Sequence, residues 1–323
     1  MEHRQLGHSG LRVSRLGLGT MTWGQDTTAE EAASQLTAFV DAGGSFVDTA
    51  DVYNDGESET VLGGLIGHLV HRGDVQIATK AGLQPGTVRR RNGSRAHLLA
   101  ALDASLARLG TDHVELFQVH GCDGLTPLDE TMAALDTAVA SGRARYAGLS
   151  NFAGWQTARA AAWQAAWPGR TPLVSAQVEY SLLERGVERE VVPACLALGL
   201  GVLPWSPLGR GVLTGKYRHG RPDDSRAARP HFERFVLPYL NPRCSGIVES
   251  VATAAAGLGV NPLEVALAWV RDRPGVVAPI LGARTVGQLA GALGAESVEL
   301  PPEIARALSD VSALEFGYPE RQG

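Results

Sequence analysis

The sequence predicts an α/β protein in which about eight short parallel strands alternate with helices. Short apolar runs recur along the chain, separated by alanine-rich amphipathic stretches, at intervals of about 30 to 40 residues. The chain has 323 residues, which exceeds the roughly 250 that eight strand–helix units need. This alternation suits a closed (β/α)8 barrel, and a doubly wound open sheet is the alternative that it leaves open.

The strand candidates are short and apolar, and many contain β-branched or aromatic residues. Seven of them are Phe46–Val47, Val75–Thr79, Val114–Val119, Arg145–Leu149, Val174–Val178, Gly201–Trp205 and Val276–Leu281. The eighth, Leu16–Gly19, is a weaker candidate because of its glycines. At the start of the chain, Arg4–Leu6 and Leu11–Val13 predict a small β-hairpin, which could plug the bottom of a barrel.

Helix candidates fill the intervals between these strands. They are residues 29–42, 57–70, 94–109, 129–141, 153–166, 188–198 and 286–294. Thr28 and Ser94 can cap the first and third helices, and Gly110 follows the end of the third. Thr126 or Asp129 is expected to start the fourth helix.

Three segments lie outside this alternation. Residues 209–241 are rich in Gly, Pro and Arg and predict a long loop, residues 242–272 carry extra helical patterns, and residues 302–314 predict a C-terminal helix. No repeat or low-complexity linker marks a boundary, so we expect residues 1–323 to form a single domain.

Composition and charge exclude several classes of function. The formal net charge is −5, from 29 basic and 34 acidic residues, which argues against a nucleic-acid partner. No apolar run approaches the length of a membrane span, and the polar segment Met1–Gly10 lacks the features of a signal peptide. The three widely spaced cysteines suit a reducing compartment. We therefore expect a cytoplasmic protein without membrane or nucleic-acid partners, and by default a monomer.

Two local patterns have ordinary explanations. Arg89, Arg90 and Arg91 form a basic run that is better explained as a solvated loop than as an anion contact for a phosphorylated ligand. His68 and His71 stand three residues apart with no third ligand nearby, so no metal site is expected.

Polar residues stand where predicted strands end. Asp48, Lys80 and His120 each follow an apolar strand, and Tyr53 lies five residues past Asp48 in the next loop. In a (β/α)8 barrel the carboxyl ends of the strands form the rim that holds the active site. The four side chains can therefore converge on one pocket, although each of them alone is more commonly structural.

Together these groups can transfer a proton. A tyrosine hydroxyl acts as a general acid when a nearby cation favours its phenolate, and Lys80 can supply that charge. Asp48 can hold Lys80 in place, and His120 can hydrogen-bond a substrate carbonyl. Such a set could protonate a developing alkoxide as hydride arrives, and it requires no metal.

Four longer motifs make the pattern specific. They read DTADVYNDGESE at 48–59, GRARYAGLSNF at 142–152, AQVEYSLLER at 176–185 and PWSPLGRGVLTGK at 204–216. In order and in spacing these motifs closely resemble the aldo-keto reductase family. The resemblance extends over nearly the whole chain, from GLGT at 17–20 to GART at 282–285.

This resemblance implies a (β/α)8 TIM barrel that binds NADP(H) without a Rossmann fold and reduces an aldehyde or ketone to an alcohol. The family tetrad falls on Asp48, Tyr53, Lys80 and His120, with Tyr53 as the proton donor. The remaining cofactor positions are Thr20, Met21, Ser150, Asn151, Gln177, Trp205, Ser206, Pro207, Leu208, Gly209, Lys216, Gly282, Arg284 and Gln288, and Asp48 is shared with the tetrad.

The resemblance also divides these cofactor positions by role. Ser150, Asn151 and Gln177 would hold the carboxamide, and Trp205 would stack on the nicotinamide ring. The segment 206–209 with Lys216 would bind the pyrophosphate, and Gly282, Arg284 and Gln288 would bind the adenosine phosphate. Where the family often carries Glu and Asn, this chain has Gly291 and Ala292, which predicts weaker adenine contacts.

The substrate is less defined. Trp23, Tyr53 and His120 are expected to line the pocket for a small carbonyl compound, but the loops do not choose between aldehydes, sugars and bulky ketones. An NADPH-binding regulatory or sensor subunit with slow turnover is the alternative function. A barrel isomerase or metal hydrolase ranks lowest, because no cluster of histidines and carboxylates is visible.

Overall fold

Eight parallel strands form a nearly closed barrel surrounded by helices. A computed structural model describes residues 1–218, 220–222, 228, 230–315 and 317–318. Its strands are β1 His3–Gln5, β2 Arg12–Ser14, β3 Gly17–Gly19, β4 Phe46–Asp48, β5 Gln76–Ala81, β6 Val114–Val119, β7 Ala144–Ser150, β8 Leu173–Glu179, β9 Gly201–Trp205 and β10 Ile280–Gly282. The predicted (β/α)8 barrel is confirmed.

The helices alternate with the barrel strands and continue beyond them. They are α1 Ala29–Asp41, α2 Glu57–Leu65, α3 Arg95–Leu109, α4 Leu128–Ala140, α5 Gly154–Ala165, α6 Val191–Leu198, α7 Pro230–Val236, α8 Pro242–Leu258, α9 Pro262–Arg271, α10 Val286–Leu293 and α11 Pro302–Val311. Thr28 and Ser94 cap α1 and α3 as predicted, and Gly110 adopts a left-handed conformation after α3.

Closure of the barrel decides between the two arrangements that the sequence left open. The strand order is β10-β3-β4-β5-β6-β7-β8-β9, with every pair parallel. The ends of this sheet meet through Val202, whose N–H donates to Gly275 O at 2.8 Å and whose O accepts from Val277 N at 2.9 Å. The sheet is therefore a barrel and not an open layer.

The predicted strand Val276–Leu281 is too long at its start. Regular pairing covers only Ile280–Gly282, while Val276 forms an isolated bridge to Val202. Pro279 has no N–H to donate to a ladder, and Gly275 has φ of 78°. The backbone therefore enters β10 through an irregular segment.

Three predicted helix boundaries and one predicted loop also differ from the structure. The helix predicted at 57–70 ends at Leu65, because Ile66 is extended, and the one at 188–198 begins at Val191. Pro127 precedes α4 without a side-chain cap, and Thr126 instead bonds Asp123. Residues 209–241 are not a uniform loop, because their described part contains two 3-10 turns and α7.

The N-terminal hairpin is confirmed and closes one end of the barrel. Strands β1 and β2 pair antiparallel, and their loop reaches the barrel through His8 N, which donates to Gly199 O at 2.7 Å. Leu6, Leu11 and Val13 are buried in one cluster with residues of the barrel strands, among them Phe46. The barrel interior is thereby filled from the hairpin end, and the carboxyl termini of the strands lie at the opposite end.

Within the described residues, no single helix has both the length and the apolar composition needed to cross a membrane. The pair α8 and α9, bent by 101°, passes that test only when the two are taken together.

Close packing of α2 on α3 holds the loop between β4 and α2 in place. Glu59 of α2 is fully buried, accepts from Thr79 Oγ1 at 2.5 Å and pairs with Arg108 at 2.7 Å. Gly63 permits this approach, since a Cβ there would lie 2.3 Å from the backbone oxygen of Arg108. A Cβ on Gly64 would meet open space.

We therefore expect the variants Gly63→Ala and Gly64→Ala to differ sharply in their stability. Gly63→Ala should lower the free energy of unfolding by about 1 to 3 kcal/mol, as overpacking does. Gly64→Ala adds the same methyl group to the same helix and should leave the stability unchanged or slightly raised. Urea unfolding midpoints of the two variants check this, and equal midpoints would show that α2 moves away from α3 at little cost.

Candidate active site

The four residues of the predicted catalytic set lie together at the carboxyl rim. Asp48 ends β4, Lys80 lies in β5, and His120 directly follows β6. Tyr53 begins the 3-10 turn Tyr53–Gly56 that leads into α2. Three adjacent strands therefore deliver four polar side chains to one place, as the sequence predicted.

A buried ion pair forms the centre of this group. Lys80 Nζ donates to Asp48 Oδ2 at 2.7 Å, to Thr49 O at 2.8 Å and to Tyr53 Oη at 3.2 Å. The side chain of Lys80 is 0% exposed and that of Asp48 is 3% exposed. An ammonium has three N–H donors, and all three are used here. The lysine is therefore fixed in both position and charge.

Burial favours retention of the proton on Tyr53. Burial opposes the charge of Lys80, but Asp48 and Tyr53 offset that effect, and the pKa of Lys80 is raised above its ordinary value. Burial also raises the pKa of Tyr53, an effect that Lys80 reduces and Asp48 increases. The phenol is thus protonated at neutral pH, and its oxygen already accepts a hydrogen bond from Lys80.

His120 lies against Tyr53 as a neutral ring. The two ring centroids are 6.0 Å apart and the planes meet at 78°. Burial, followed by the charges of Lys80 and Arg91, lowers the pKa of His120 well below 6.5. Its Nδ1 is buried and has no partner among the described residues. An uncharged imidazole remains, which can hydrogen-bond a carbonyl oxygen without itself being an acid at neutral pH.

The residues predicted to hold a carboxamide lie on the next strands of the barrel. Gln177 Nε2 donates to Asp48 Oδ1 at 2.7 Å, so Asp48 is held from two sides. Asn151 Nδ2 donates to His120 O and to Ser150 Oγ, both at 3.0 Å. Trp205 Nε1 donates to Asn151 Oδ1 at 3.0 Å. The amides, the hydroxyl and the indole therefore form a continuous polar wall beside the ion pair.

Left-handed backbone at non-glycine residues is concentrated at this rim. It occurs at Asn54, Asp55, Asn151, Ser206 and Arg210, with φ between 50° and 59°. Asn54 Nδ2 donates to Trp23 O at 2.7 Å and to Met21 O at 3.1 Å, which offsets the strain of its own conformation. Such conformations cluster at functional sites.

An ion pair that sequence reasoning missed anchors the segment after β9. Arg210 donates to both carboxylate oxygens of Glu179, at 2.8 and 2.6 Å. The ring of Phe235 lies 3.7 Å from its guanidinium carbon, and Tyr239 Oη donates to Glu179 at 2.8 Å. The segment 206–210 and the 235–239 segment are thereby fastened to the end of β8. Glu179 and Arg210 are 31 residues apart in the chain, and this spacing does not indicate an ion pair in a sequence.

The predicted adenosine-phosphate residues lie where β10 leads into α10. Gln288 Oε1 accepts from Arg284 N at 3.0 Å, and Thr285 caps the helix. Glu31 of α1 accepts the N–H of Val286 at the start of the same helix. This carboxylate was not foreseen, and it lies where a phosphate would also be attracted.

Two residues predicted to contact a ligand have fully buried side chains. Trp23 was expected to line the substrate pocket, but its side chain is fully buried and its Nε1 donates to Gln35 Oε1 at 3.0 Å. Thr20, expected at the cofactor, is also fully buried, with its hydroxyl 2.7 Å from Ser58 Oγ. Trp23 packs in the hydrophobic core, whereas Thr20 bonds the main-chain oxygen of Asp48 and so stays beside the ion pair. Met21, by contrast, is 36% exposed.

A second carboxyl group near Tyr53 was also missed. The pKa of Asp51 is raised to about 7, first by burial and then by Glu59, while Arg108 and Lys80 act in the opposite direction. Its Oδ1 is buried and has no partner among the described residues. Asp51 therefore stands apart from Asp48, whose two oxygens are both bonded.

Comparison with known proteins agrees with this geometry. The model of the "Aldo/keto reductase family" matches residues 15–313. The "Uncharacterized oxidoreductase YrpG" of Bacillus subtilis (strain 168) is 40% identical over 96% of each chain. "Versiconal hemiacetal acetate reductase" of Aspergillus parasiticus is 34% identical over 96% of each chain. A "Probable voltage-gated potassium channel subunit beta" of Oryza sativa subsp. japonica is 35% identical over 99% of this chain and 98% of the relative.

The buried ion pair predicts an asymmetry between single and double variants. Lys80→Met leaves Asp48 buried without its counter-ion and should lower the free energy of unfolding by about 3 to 5 kcal/mol. The double variant Asp48→Asn/Lys80→Met removes both charges and should recover part of that loss. Asp103→Asn, in the exposed pair with Arg143, should have little effect. Urea unfolding checks this, and a double variant that is less stable than Lys80→Met would contradict it.

Asp51 predicts a pH-dependent stability. Its pKa is about 7 in the folded chain against an ordinary value of 3.8, so between these values the folded state holds the extra proton and rising pH lowers stability. The asparagine in the variant Asp51→Asn cannot ionise. The free energy of unfolding of this variant, relative to that of the wild type, should therefore rise by up to about 4 kcal/mol between pH 4 and 7. Above pH 7 the difference should stay constant. Urea unfolding at several pH values measures this difference.

The control for that measurement is Asp41→Asn, which removes one carboxylate from the exposed end of α1. It corrects for the general effect of losing a negative charge. A difference between Asp51→Asn and the wild type that stays constant from pH 5 to 8 would show that Asp51 ionises in the folded protein as it does in an unfolded chain.

Proposed function

The chain belongs to the aldo/keto reductase family, and from this premise we propose that it reduces an aldehyde or a ketone to an alcohol with NADPH. The observation that carries the proposal is the fully buried Lys80, which donates at once to Asp48 and to the hydroxyl of Tyr53. A protonated phenol, a fixed cation and a neutral imidazole meet there, and these groups are suited to general acid catalysis at a carbonyl oxygen.

Tyr53 is the proposed proton donor. As negative charge develops on the substrate oxygen, the phenol can release its proton to that oxygen and become a phenolate. Lys80 Nζ, 3.2 Å from the phenol oxygen, stabilises this phenolate. Asp48 keeps the ammonium charged and oriented, so it acts as a positioning residue behind Lys80. The hydride that completes the reduction is the chemistry that NADPH supplies when bound.

His120 is proposed to orient the carbonyl. Its ring is neutral and lies edge to face with Tyr53, so the imidazole and the phenol can approach one oxygen atom from two sides. Because Nδ1 is buried, the group available to a substrate is Nε2. Asn151 donates to the main-chain oxygen of His120 and so fixes the backbone from which the ring extends.

The polar wall fits the nicotinamide end of the cofactor. Ser150, Asn151 and Gln177 carry the donors and acceptors that a carboxamide needs, and the indole of Trp205 is fixed by its bond to Asn151. The segment 206–209 with Lys216 would hold the pyrophosphate; Gly209 supplies its left-handed turn, with φ of 54°, where a Cβ would lie 2.6 Å from the side chain of Leu183.

Two charged residues would set the preference between NADPH and NADH. Arg284 could pair with a 2′-phosphate, which favours NADPH. Glu31, at the N-terminus of α10, opposes a phosphate at the same place. We propose that NADPH binds through Arg284, with adenine contacts weakened by Gly291 and Ala292.

A regulatory or sensor subunit with slow turnover is the second candidate. Its support is the similarity to proteins named as probable potassium channel subunits beta in rice and in Arabidopsis thaliana, 35% and 36% identical. The same buried ion pair and polar wall would then serve to bind NADPH, with slow chemistry.

The test is Tyr53→Phe in an NADPH oxidation assay with a panel of aldehydes and ketones. The variant keeps the ring but loses the proton, so kcat should fall by about 100-fold to 10,000-fold while the Kd for NADPH is unchanged. Tyr146→Phe, at the hairpin end of the barrel, is the matched control and should retain activity.

Each other result has a defined meaning. Full activity in Tyr53→Phe would overturn the assignment of the proton donor. A wild type that binds NADPH tightly but reduces no carbonyl compound would favour the regulatory candidate. A wild type that fails to bind NADPH would overturn the proposal that NADPH is the cofactor.

A further inference from the structure

A cavity of about 350 Å³ lies beside the candidate active site. It is formed by the loop 121–128, which follows β6, and by the first half of α5. Its lining includes Cys122, Leu125, Leu128, Phe152, Trp155 and Arg159. Pockets of this size take small organic ligands.

The cavity is lined by residues that lie next to the catalytic group in the chain. Cys122 is two residues past His120, and Phe152 directly follows Asn151, which bonds the main chain of His120 at 3.0 Å. Tyr53 and Lys80 are not among its lining residues. The cavity therefore adjoins the reacting groups and does not contain them, as expected of a place for the remote part of a substrate.

Two arginines give this cavity a positive edge. Arg91 packs over Gly121, where a Cβ would lie 3.0 Å from its Nε, and its Nη1 donates to Cys122 O at 3.2 Å. Arg159 is exposed, lines the cavity and makes no hydrogen bond or ion pair within the described residues. Burial raises the pKa of Cys122; Arg91 opposes that rise, Asp123 adds to it and Arg159 opposes it, so both guanidinium groups act on the same thiol.

The acidic residue Asp123 in the lining is already bonded to other groups. Asp123 accepts from Arg89 and Thr126, both at 2.6 Å, and from Gly93 N at 2.9 Å, and its side chain is 4% exposed. These bonds occupy Asp123, and within the part of the chain that the structure describes neither Arg91 nor Arg159 has a carboxylate partner. The N-terminus of α5 adds to the same potential, because Trp155 of its first turn lines the cavity.

We propose that this cavity binds the anionic end of the carbonyl substrate, so that carbonyl compounds bearing a carboxylate on an aromatic or short apolar body are preferred. Phe152 and Trp155 supply flat apolar walls for such a body. Arg159, assisted by Arg91, supplies charged N–H groups that can donate hydrogen bonds to a carboxylate. This inference rests on the proposed reductase function and names its substrate class.

The experiment compares 4-carboxybenzaldehyde with 4-formylbenzamide, which is matched in shape but carries no charge. In the NADPH oxidation assay, the wild type should show kcat/KM about tenfold higher for the acid, because one partly exposed charge-assisted contact contributes roughly that factor. Arg159→Gln should bring the two values together, through KM and not through kcat. Salt should reduce the preference in the wild type.

The matched control is Arg145→Gln. Arg145 is exposed near the amino end of β7, opposite the rim, so this variant changes the net charge equally without touching the cavity. It should keep the wild-type preference for the acid. Equal kcat/KM for the two substrates in the wild type, or a preference that survives in both Arg159→Gln and Arg91→Gln, would overturn the proposal.

A failure of the proposed reductase function is distinguishable from these outcomes. If the wild type reduces neither compound, calorimetric titration with 4-(hydroxymethyl)benzoate tests the cavity without turnover. Weaker binding to Arg159→Gln than to the wild type would support the anion site, and equal or absent binding would overturn it.

Discussion

The buried pair of Lys80 and Asp48 is the constraint on which the rest of the site depends. Removing two charges from water is costly, and their mutual attraction offsets that cost only when every donor and acceptor is satisfied. Thr49 O and Tyr53 Oη take the remaining donors of Lys80, and Gln177 bonds the second oxygen of Asp48. Residues from β4, β5 and β8 are therefore positioned by a single electrostatic requirement, and Tyr53 is held by the same requirement.

The barrel meets this requirement through its register and its closure. Parallel pairing places the carboxyl ends of neighbouring strands at one rim, while the hairpin fills the opposite end with apolar side chains. Behind the rim, Glu59 and Arg108 join α2 to α3 and fix the turn that carries Tyr53. The position of the phenol therefore depends on helix packing as well as on its own hydrogen bond.

Much of this arrangement could be predicted from the sequence, because strand ends and periodic apolar runs are local patterns. The convergence of Asp48, Lys80 and His120 followed from their places after three strands. The burial of individual side chains could not be predicted in the same way. Trp23 lies inside the protein and bonds Gln35, and the pKa of Asp51 is raised by burial and by Glu59. Pairs such as Glu179 with Arg210 depend on the three-dimensional path of the chain, and no spacing indicates them.

The distribution of positive charge differs between the inner site and the adjoining cavity. Inside the site, the cation of Lys80 is fully paired with Asp48, and His120 is neutral because burial and two neighbouring cations disfavour its protonation. An anionic group would therefore find no uncompensated charge among these inner residues. At the adjoining cavity, Arg91 and Arg159 have no carboxylate partner within the described residues. On the proposed function, a molecule with a carbonyl at one end and an anion at the other would thus be oriented with its carbonyl toward Tyr53.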